Sequence, residues 1–244
     1  MNEEQFIAGI YNYCDRWCER CPLTHRCRLY ADEQEEDARY PERRDPENKA
    51  FWERLGAKLD ESVQLLQQLA VDMDIDLEEP DDASVPNAGE ETEESEPEST
   101  QAARAYGKQA SAWLRDKLPS VRDGLAQGLE LGLTGATDRA EAVKEATEVI
   151  QWYLYQIEVK LRRAQHGLRS PWREEEDIDE ANGSAKVALI GIERSLAAWI
   201  VLYQHLDDHQ DDILQHLASL ERTRQTTLRQ FPDAPHFIRP GFDD

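Results

Sequence analysis

The chain has 244 residues, enough for one large domain or two small ones, and its 39 % hydrophobic content permits a buried core. It carries 51 acidic against 28 basic residues, a net charge of −23, and a field of that sign repels nucleic acids and anionic membranes. We therefore predict no nucleic-acid or membrane partner, whereas a protein partner stays open. The first residues, MNEEQF, are not typical of a signal peptide, and long apolar runs are missing, so we predict a cytoplasmic protein.

All the cysteines fall in one N-terminal segment, YCDRWCERCPLTHRCR. They are Cys14, Cys18, Cys21 and Cys27. Apolar residues spaced four, three and four apart predict a helix over residues 3–20, with Cys14 and Cys18 one turn apart on one face. Pro22 ends that helix, so the following chain can fold back and bring Cys27 to the same point. In a reducing compartment such a cluster predicts one metal site rather than disulfides, and four thiolates suit a [4Fe–4S] cluster or tetrahedral zinc.

The part from Cys18 to Cys27 reads C-x2-C-P-x4-C and resembles the motif that binds a [4Fe–4S] cluster in RecB-like nucleases. The resemblance implies Cys18, Cys21 and Cys27 as ligands, with Cys14 in place of the distant upstream cysteine of those families. Nuclease activity is not implied, because no segment of the sequence has the pattern of a β-strand that could carry the residues of a nuclease core. The first three cysteines also match the spacing of radical SAM enzymes, which need a loop above a β/α barrel instead of a helix. The remaining alternatives are thiols without metal, disulfides, or a mixed site of three cysteines with His25.

The next part of the chain predicts helices around an acidic linker. We expect a short helix at residues 28–36 and a long amphipathic helix at residues 46–76 that packs with the bundle. Its apolar face comprises Trp52, Leu55, Leu59, Val63, Leu66, Leu69 and Met73. Residues 77–100 are acidic, contain prolines and offer almost no large apolar side chains, so we predict a disordered linker there.

The helical pattern returns at residue 101, and Pro119 divides it. Asp138 followed by Glu141 predicts a capping box that opens another helix. That helix should run to its C-cap at Gly167.

A polar connection at residues 168–183 precedes one predicted helix from Ser184 to Gln230, whose apolar spacing is close to a heptad seam. Residues 231–244 contain three prolines and predict an extended C-terminal strap. The predicted fold class is all-α, a multi-helix bundle over residues 101–230 with a four-cysteine metal-binding segment at residues 1–40.

A second set of metal-ligating residue types lies on one flank of the last predicted helix. These residues are His205, His209, Asp212 and His216. Two histidines one turn apart can chelate a metal, and Glu145 and Glu148 on the preceding helix could face them. The Glu-x-x-His signature of di-iron bundles does not occur, so we favour a solvated polar flank.

Motifs for a nucleophile or a phosphate-binding loop do not occur, so the sequence favours a non-enzymatic protein while leaving activity open. The first hypothesis is a metal-binding helical protein with a [4Fe–4S] cluster in a structural, redox-sensing or electron-transfer role. The second is an interaction module stabilised by zinc. The weakest is a di-metal bundle enzyme that uses His205 and His209. Oligomeric state is left open.

Overall fold

The structure is a computed structural model that describes residues 5–73, 96–169 and 175–243, and within these ranges the chain is all-α without strands. The helices are α1 (Arg28–Arg39), α2 (Lys49–Asp72), α3 (Glu98–Asp116), α4 (Leu118–Glu130), α5 (Ala136–Tyr153), α6 (Gln156–Arg169), α7 (Glu175–His205) and α8 (Gln210–Gln230). The chain forms two compact units. The bundle unit comprises Met1–Leu23 and Glu96–Asp244, and the α1–α2 unit comprises Thr24–Ser95. The predicted all-α helical bundle is confirmed.

Helix α7 is the centre of the bundle unit, where it packs against α5, α6 and α8, while α3 packs against α6 and α8. The largest fully buried side chains of the unit include Tyr106, Ile150, Tyr153, Ile157, Leu161, Ile192, Trp199, Leu202, Ile213 and Leu220. In this core the indole Nε1 of Trp199 donates a hydrogen bond of 3.0 Å to the hydroxyl oxygen of Tyr106. Burial raises the pKa of Tyr106 to about 12, so its hydroxyl stays neutral. The hydroxyl oxygen thereby provides an acceptor for the buried indole N–H of Trp199.

Helices α5 and α6 replace the single helix predicted up to Gly167. Helix α5 ends at Tyr153 and α6 begins at Gln156, although the apolar spacing continues through the junction. The backbone of α3 comes close at this point, because a Cβ atom on Gly107 would lie 3.3 Å from the carbonyl oxygen of Leu154. Packing between helices, and not a local breaker residue, thus accompanies the division.

The prediction of a single helix from Ser184 to Gln230 is wrong, because α7 ends at His205 and α8 begins at Gln210. Leu206 leaves the helical conformation, with φ −127° and ψ 72°, and buries its side chain. The side-chain amide of Gln210 donates to the carbonyl oxygen of Tyr203 at 3.2 Å, and so satisfies a group near the end of α7.

The two capping predictions are wrong as well. The N-cap of α5 is Gly135, with φ 77°, and not Asp138, which lies inside the first turn. Gly167 lies within α6, which continues to Arg169.

Of the predicted acidic linker, residues 77–95 lie outside the described residues, and its last three residues begin α3 at Glu98. The connection predicted at residues 168–183 is shorter, because α7 already begins at Glu175, and its residues 170–174 also lie outside the described part.

The α1–α2 unit is held by charged contacts near the start of α2. Arg54 pairs with Glu42 at 2.9 Å, and its guanidinium lies 4.5 Å from the centre of the Tyr40 ring. Asn48 caps α2 by accepting a hydrogen bond from the amide of Ala50 at 3.0 Å. From residue 57 to residue 69 every residue of α2 is exposed, including Leu59, Val63, Leu66 and Leu69 of the predicted apolar face.

Candidate functional site

The cysteine segment is a chain of short turns and not the helix predicted over residues 3–20. Three-residue 3-10 turns occur at Ile10–Asn12, Cys18–Arg20 and Thr24–Arg26. Two positive φ angles interrupt any helical path, 69° at Gly9 and 58° at Arg16. The second is uncommon for a residue with a side chain and lies between Cys14 and Cys18. These two cysteines are therefore not one turn apart on one helix face.

Asp15 anchors this segment to the bundle unit. Its carboxylate accepts hydrogen bonds from the hydroxyl of Tyr153 and from the guanidinium of Arg194. Its backbone carbonyl accepts from Nε1 of Trp152 at 3.0 Å and from the side-chain amide of Gln156. Burial, together with the neighbouring Asp15 carboxylate, raises the pKa of Tyr153, so the phenol remains a donor. No local sequence pattern indicates the contacts of Asp15, because its partners are far away along the chain.

Stacked side chains hold the turn around Trp17 and Arg20 against α5. The Trp17 indole stacks on that of Trp152, with ring centres 4.9 Å apart and planes 17° apart. The guanidinium of Arg20 lies 4.1 Å from the centre of the Trp17 ring, a cation–π contact. It also pairs with Glu148 at 2.9 Å and Glu145 at 3.4 Å. The two glutamates that were expected to face the histidine flank therefore bind Arg20.

None of the four cysteines forms a disulfide, and each is half-buried. The thiol of Cys14 donates to the carbonyl oxygen of Tyr11 at 3.5 Å, and burial raises its pKa. The turn from Cys18 to Cys21 is closed by the amide of Cys21, which donates to the carbonyl of Cys18 at 3.2 Å. Sγ of Cys21 accepts a hydrogen bond from the amide of Leu23 at 3.4 Å. Cys27 comes directly before α1, at its N-cap position.

The cysteine side chains do not form a finished ligand set in this conformation. Across residues 5–73, 96–169 and 175–243, no three side chains of His, Cys, Asp or Glu lie close enough together to hold a metal ion. The predicted four-thiolate site of Cys14, Cys18, Cys21 and Cys27 stays a prediction.

A cavity of about 740 Å³ lies beside Cys21, between α5 and α7. Its lining includes four alanines of the two helices, Ala142, Ala146, Ala197 and Ala198. Three arginines also line it: Arg20, Arg194 and Arg239. Each arginine pairs with a carboxylate, so the cavity offers small apolar walls and partly neutralised charges. A volume of this size lies within the range of pockets that bind small organic molecules.

The predicted histidine flank is divided between two helices. His205 ends α7, His209 precedes α8, and Asp212 and His216 lie within α8. The rings of His209 and His216 both approach the Trp113 ring edge-on, with centres 5.8 Å and 6.3 Å away. His216 is buried and stacks on Trp199 at 4.3 Å. Burial lowers the pKa of His216 to about 4, which opposes the predicted solvated flank at this position. The second metal site also stays a prediction.

Comparison with known proteins gave no match: no family model fits the chain, and neither a curated protein nor a solved structure matches it. Within the described parts of the chain, no helix combines the length and apolar character needed to cross a membrane.

Proposed function

We propose that the chain is a metal-binding helical protein whose four N-terminal cysteines hold one metal centre, a [4Fe–4S] cluster or alternatively zinc. The observation that supports this most is the turn from Cys18 to Cys21, which is followed by an amide hydrogen bond from Leu23 to a thiol sulfur. Two cysteines on one tight turn offer two sulfurs to one centre. Hydrogen bonds to cysteine sulfur stabilise the thiolate form and tune the potential of iron–sulfur clusters.

The turns of the segment suit a site that closes when the metal binds. Metal-binding free energy commonly organises a site that is not formed without metal. The anchor at Asp15 and the stack under Trp17 fix the segment between Cys14 and Cys18, so these two thiols are displayed from a held backbone. Because burial raises the pKa of Cys14, metal binding must release its proton and should be stronger at higher pH.

A centre in this position has a structural, redox-sensing or electron-transfer role, with a protein as the partner. The strongly negative charge of the chain disfavours anionic partners. We propose the reducing cytosol as its compartment, since thiols stay reduced there. A nuclease role for the chain is not proposed.

The deciding experiment is purification of the full chain without oxygen, followed by analysis of iron, sulfide and zinc and by a visible spectrum. A cluster gives a brown protein with equal amounts of iron and sulfide, whereas the alternative gives a colourless protein with zinc. Cys14→Ser, Cys18→Ser, Cys21→Ser and Cys27→Ser should each lower the metal content. The control His25→Ala should not, because the proposed ligands are all thiolates. A chain without metal under these conditions, or one whose metal survives every cysteine change, contradicts the proposal.

A further inference from the structure

Within the residues that the structure describes, the middle of α2 exposes side chains all around the helix. Every residue from 57 to 69 is exposed, and large apolar residues are among them: Leu59, Val63, Leu65, Leu66 and Leu69. The side chains of Leu59 and Leu66 are 58 % and 64 % exposed. Helices in water owe most of their stability to packing of an apolar face, and such a face in solvent marks an interaction site.

The apolar residues of α2 follow a heptad pattern. With Leu59 and Leu66 at position a, the d positions are Leu55, Ser62 and Leu69, and the next a position is Met73. This is the pattern of a two-stranded coiled coil, in which the a and d side chains of two helices interdigitate. Ser62 is the single polar residue in this seam.

We propose that α2 pairs antiparallel with α2 of a second copy of this chain, around a twofold axis near Gln64. In this register Leu55 packs against Met73 of the second copy, and Leu59 packs against its Leu69. Ser62 packs against Leu66 of the second copy, so a small side chain meets a large one. A parallel pair in register would place Ser62 against Ser62 and leave a gap in the seam.

The charges beside the seam match the same register. The g positions on one side of the seam hold Lys58, Leu65 and Asp72. In the antiparallel pair Lys58 faces Asp72 of the second copy, Leu65 faces Leu65, and Asp72 faces Lys58. A parallel pair would bring Lys58 beside Val63 instead. Within its own chain Lys58 contacts Glu36 at 3.5 Å, and Asp72 accepts a hydrogen bond from Gln68 at 3.1 Å.

The apolar surface is large enough for a stable dimer. At the observed exposures, the large apolar residues between Leu55 and Met73 that face the seam present on the order of 100 Å² each. Seven such side chains together approach the roughly 800 Å² per partner that a standard interface buries. They are the apolar a and d residues Leu55, Leu59, Leu66, Leu69 and Met73, with Val63 and Leu65 beside them. A twofold pair uses the same face on both copies, so two equivalent faces close each other.

The test is the mass of the full-length chain in solution, measured by sedimentation equilibrium over a range of concentrations. We expect a reversible dimer with twice the 28.1 kDa of one chain. Lys58→Asp and Asp72→Lys should each raise the dimer dissociation constant roughly tenfold, because like charges then face each other at both ends of the pair. The double variant K58D/D72K should restore the wild-type constant.

Asp60→Lys is the matched control, since it makes the same change of charge as Asp72→Lys on the outer face of the helix and should leave dimerisation unchanged. Leu66→Asp should abolish the dimer. A wild-type chain that remains monomeric at all concentrations overturns the proposal, including the case in which α2 packs on its own chain. A double variant as weak as the single ones overturns the antiparallel register.

Discussion

Asp15 holds the cysteine segment through a carboxylate and a carbonyl that serve four donors from α5, α6 and α7. Its sequence neighbours are a cysteine and an arginine with positive φ, so a small displacement of Asp15 would move Cys14 directly. The residue that decides where the thiols lie is thus not itself a thiol.

Asp15→Asn should lower the free energy of unfolding by about 2 kcal/mol, since it weakens charge-assisted hydrogen bonds to Tyr153 and Arg194. Urea unfolding at neutral pH measures this change. Asp32→Asn is the control, because the ion pair of Asp32 with Arg28 on α1 is exposed and contributes little. Equal effects of the two changes would show that Asp15 is not an anchor.

His216 should make stability depend on pH. Its pKa is lowered to about 4 by burial, whereas the unfolded chain has an ordinary histidine pKa of about 6.5. The unfolded state therefore binds the extra proton first, and stability from this group is complete above about pH 6.5 and is lost as the pH falls toward 4. The nearby carboxylate of Asp212 opposes the shift without cancelling it.

His216→Gln removes the titrating ring, so the variant should lose less stability than the wild type between pH 6.5 and pH 4. Unfolding midpoints measured at several pH values give the comparison. His236→Gln, at an exposed position in the C-terminal segment, serves as the control and should follow the wild type. Parallel pH curves for the wild type and His216→Gln would contradict the assignment.

Helix α7 packs closely against α5 and α6 at Gly191, where the absence of a side chain lets the helices approach. A Cβ atom on Gly191 would lie 2.9 Å from Cδ1 of Tyr153 and 3.2 Å from Cγ1 of Ile157. These two residues flank the junction of α5 and α6, so α7 fits against the point where the predicted single helix divides.

Gly191→Ala should destabilise the chain by about 1–3 kcal/mol, because overpacking outweighs the gain in helix propensity. Gly124→Ala in α4 has the same propensity gain, and its Cβ would meet no atom within 4 Å. That variant should stabilise the chain by up to about 1 kcal/mol. Thermal unfolding of both variants checks the pair, and changes of the same sign would contradict the close packing of α7.

Apolar spacing in the sequence was enough to predict that the bundle is helical. The prediction was wrong about helix ends that depend on contacts with residues far away along the chain. The all-α class follows from periodicity, and Pro119 at the start of α4 divides the helices as predicted. The junctions after Tyr153 and His205 do not show in the spacing, because the apolar pattern continues through both. The cysteine cluster was visible from its composition, but its anchor at Asp15 depends on residues well over a hundred positions away.

At the scale of the whole molecule, charge is the dominant property. A net charge of −23 on 244 residues repels itself in the folded state, and dissolved salt screens that repulsion. Exposed ion pairs such as Arg229 with Glu98 are screened too, but each contributes little.

Raising the salt concentration from about 0.01 M to about 0.15 M shortens the screening length from roughly 30 Å to 8 Å and should raise the midpoint temperature of unfolding. Thermal unfolding in sodium chloride measures this. Sucrose at equal osmolality is the control for effects other than screening. A midpoint that falls with salt would mean that ion pairs outweigh the net repulsion.

The near-parallel indoles of Trp17 and Trp152 have an optical consequence. Two such chromophores at 4.9 Å couple their transitions, so the pair contributes its own signal to circular dichroism in the aromatic region. Detachment of the cysteine segment would abolish that signal while the helical signal stays unchanged. The chain thus contains a built-in spectroscopic reporter of whether its N-terminal turns are seated on α5.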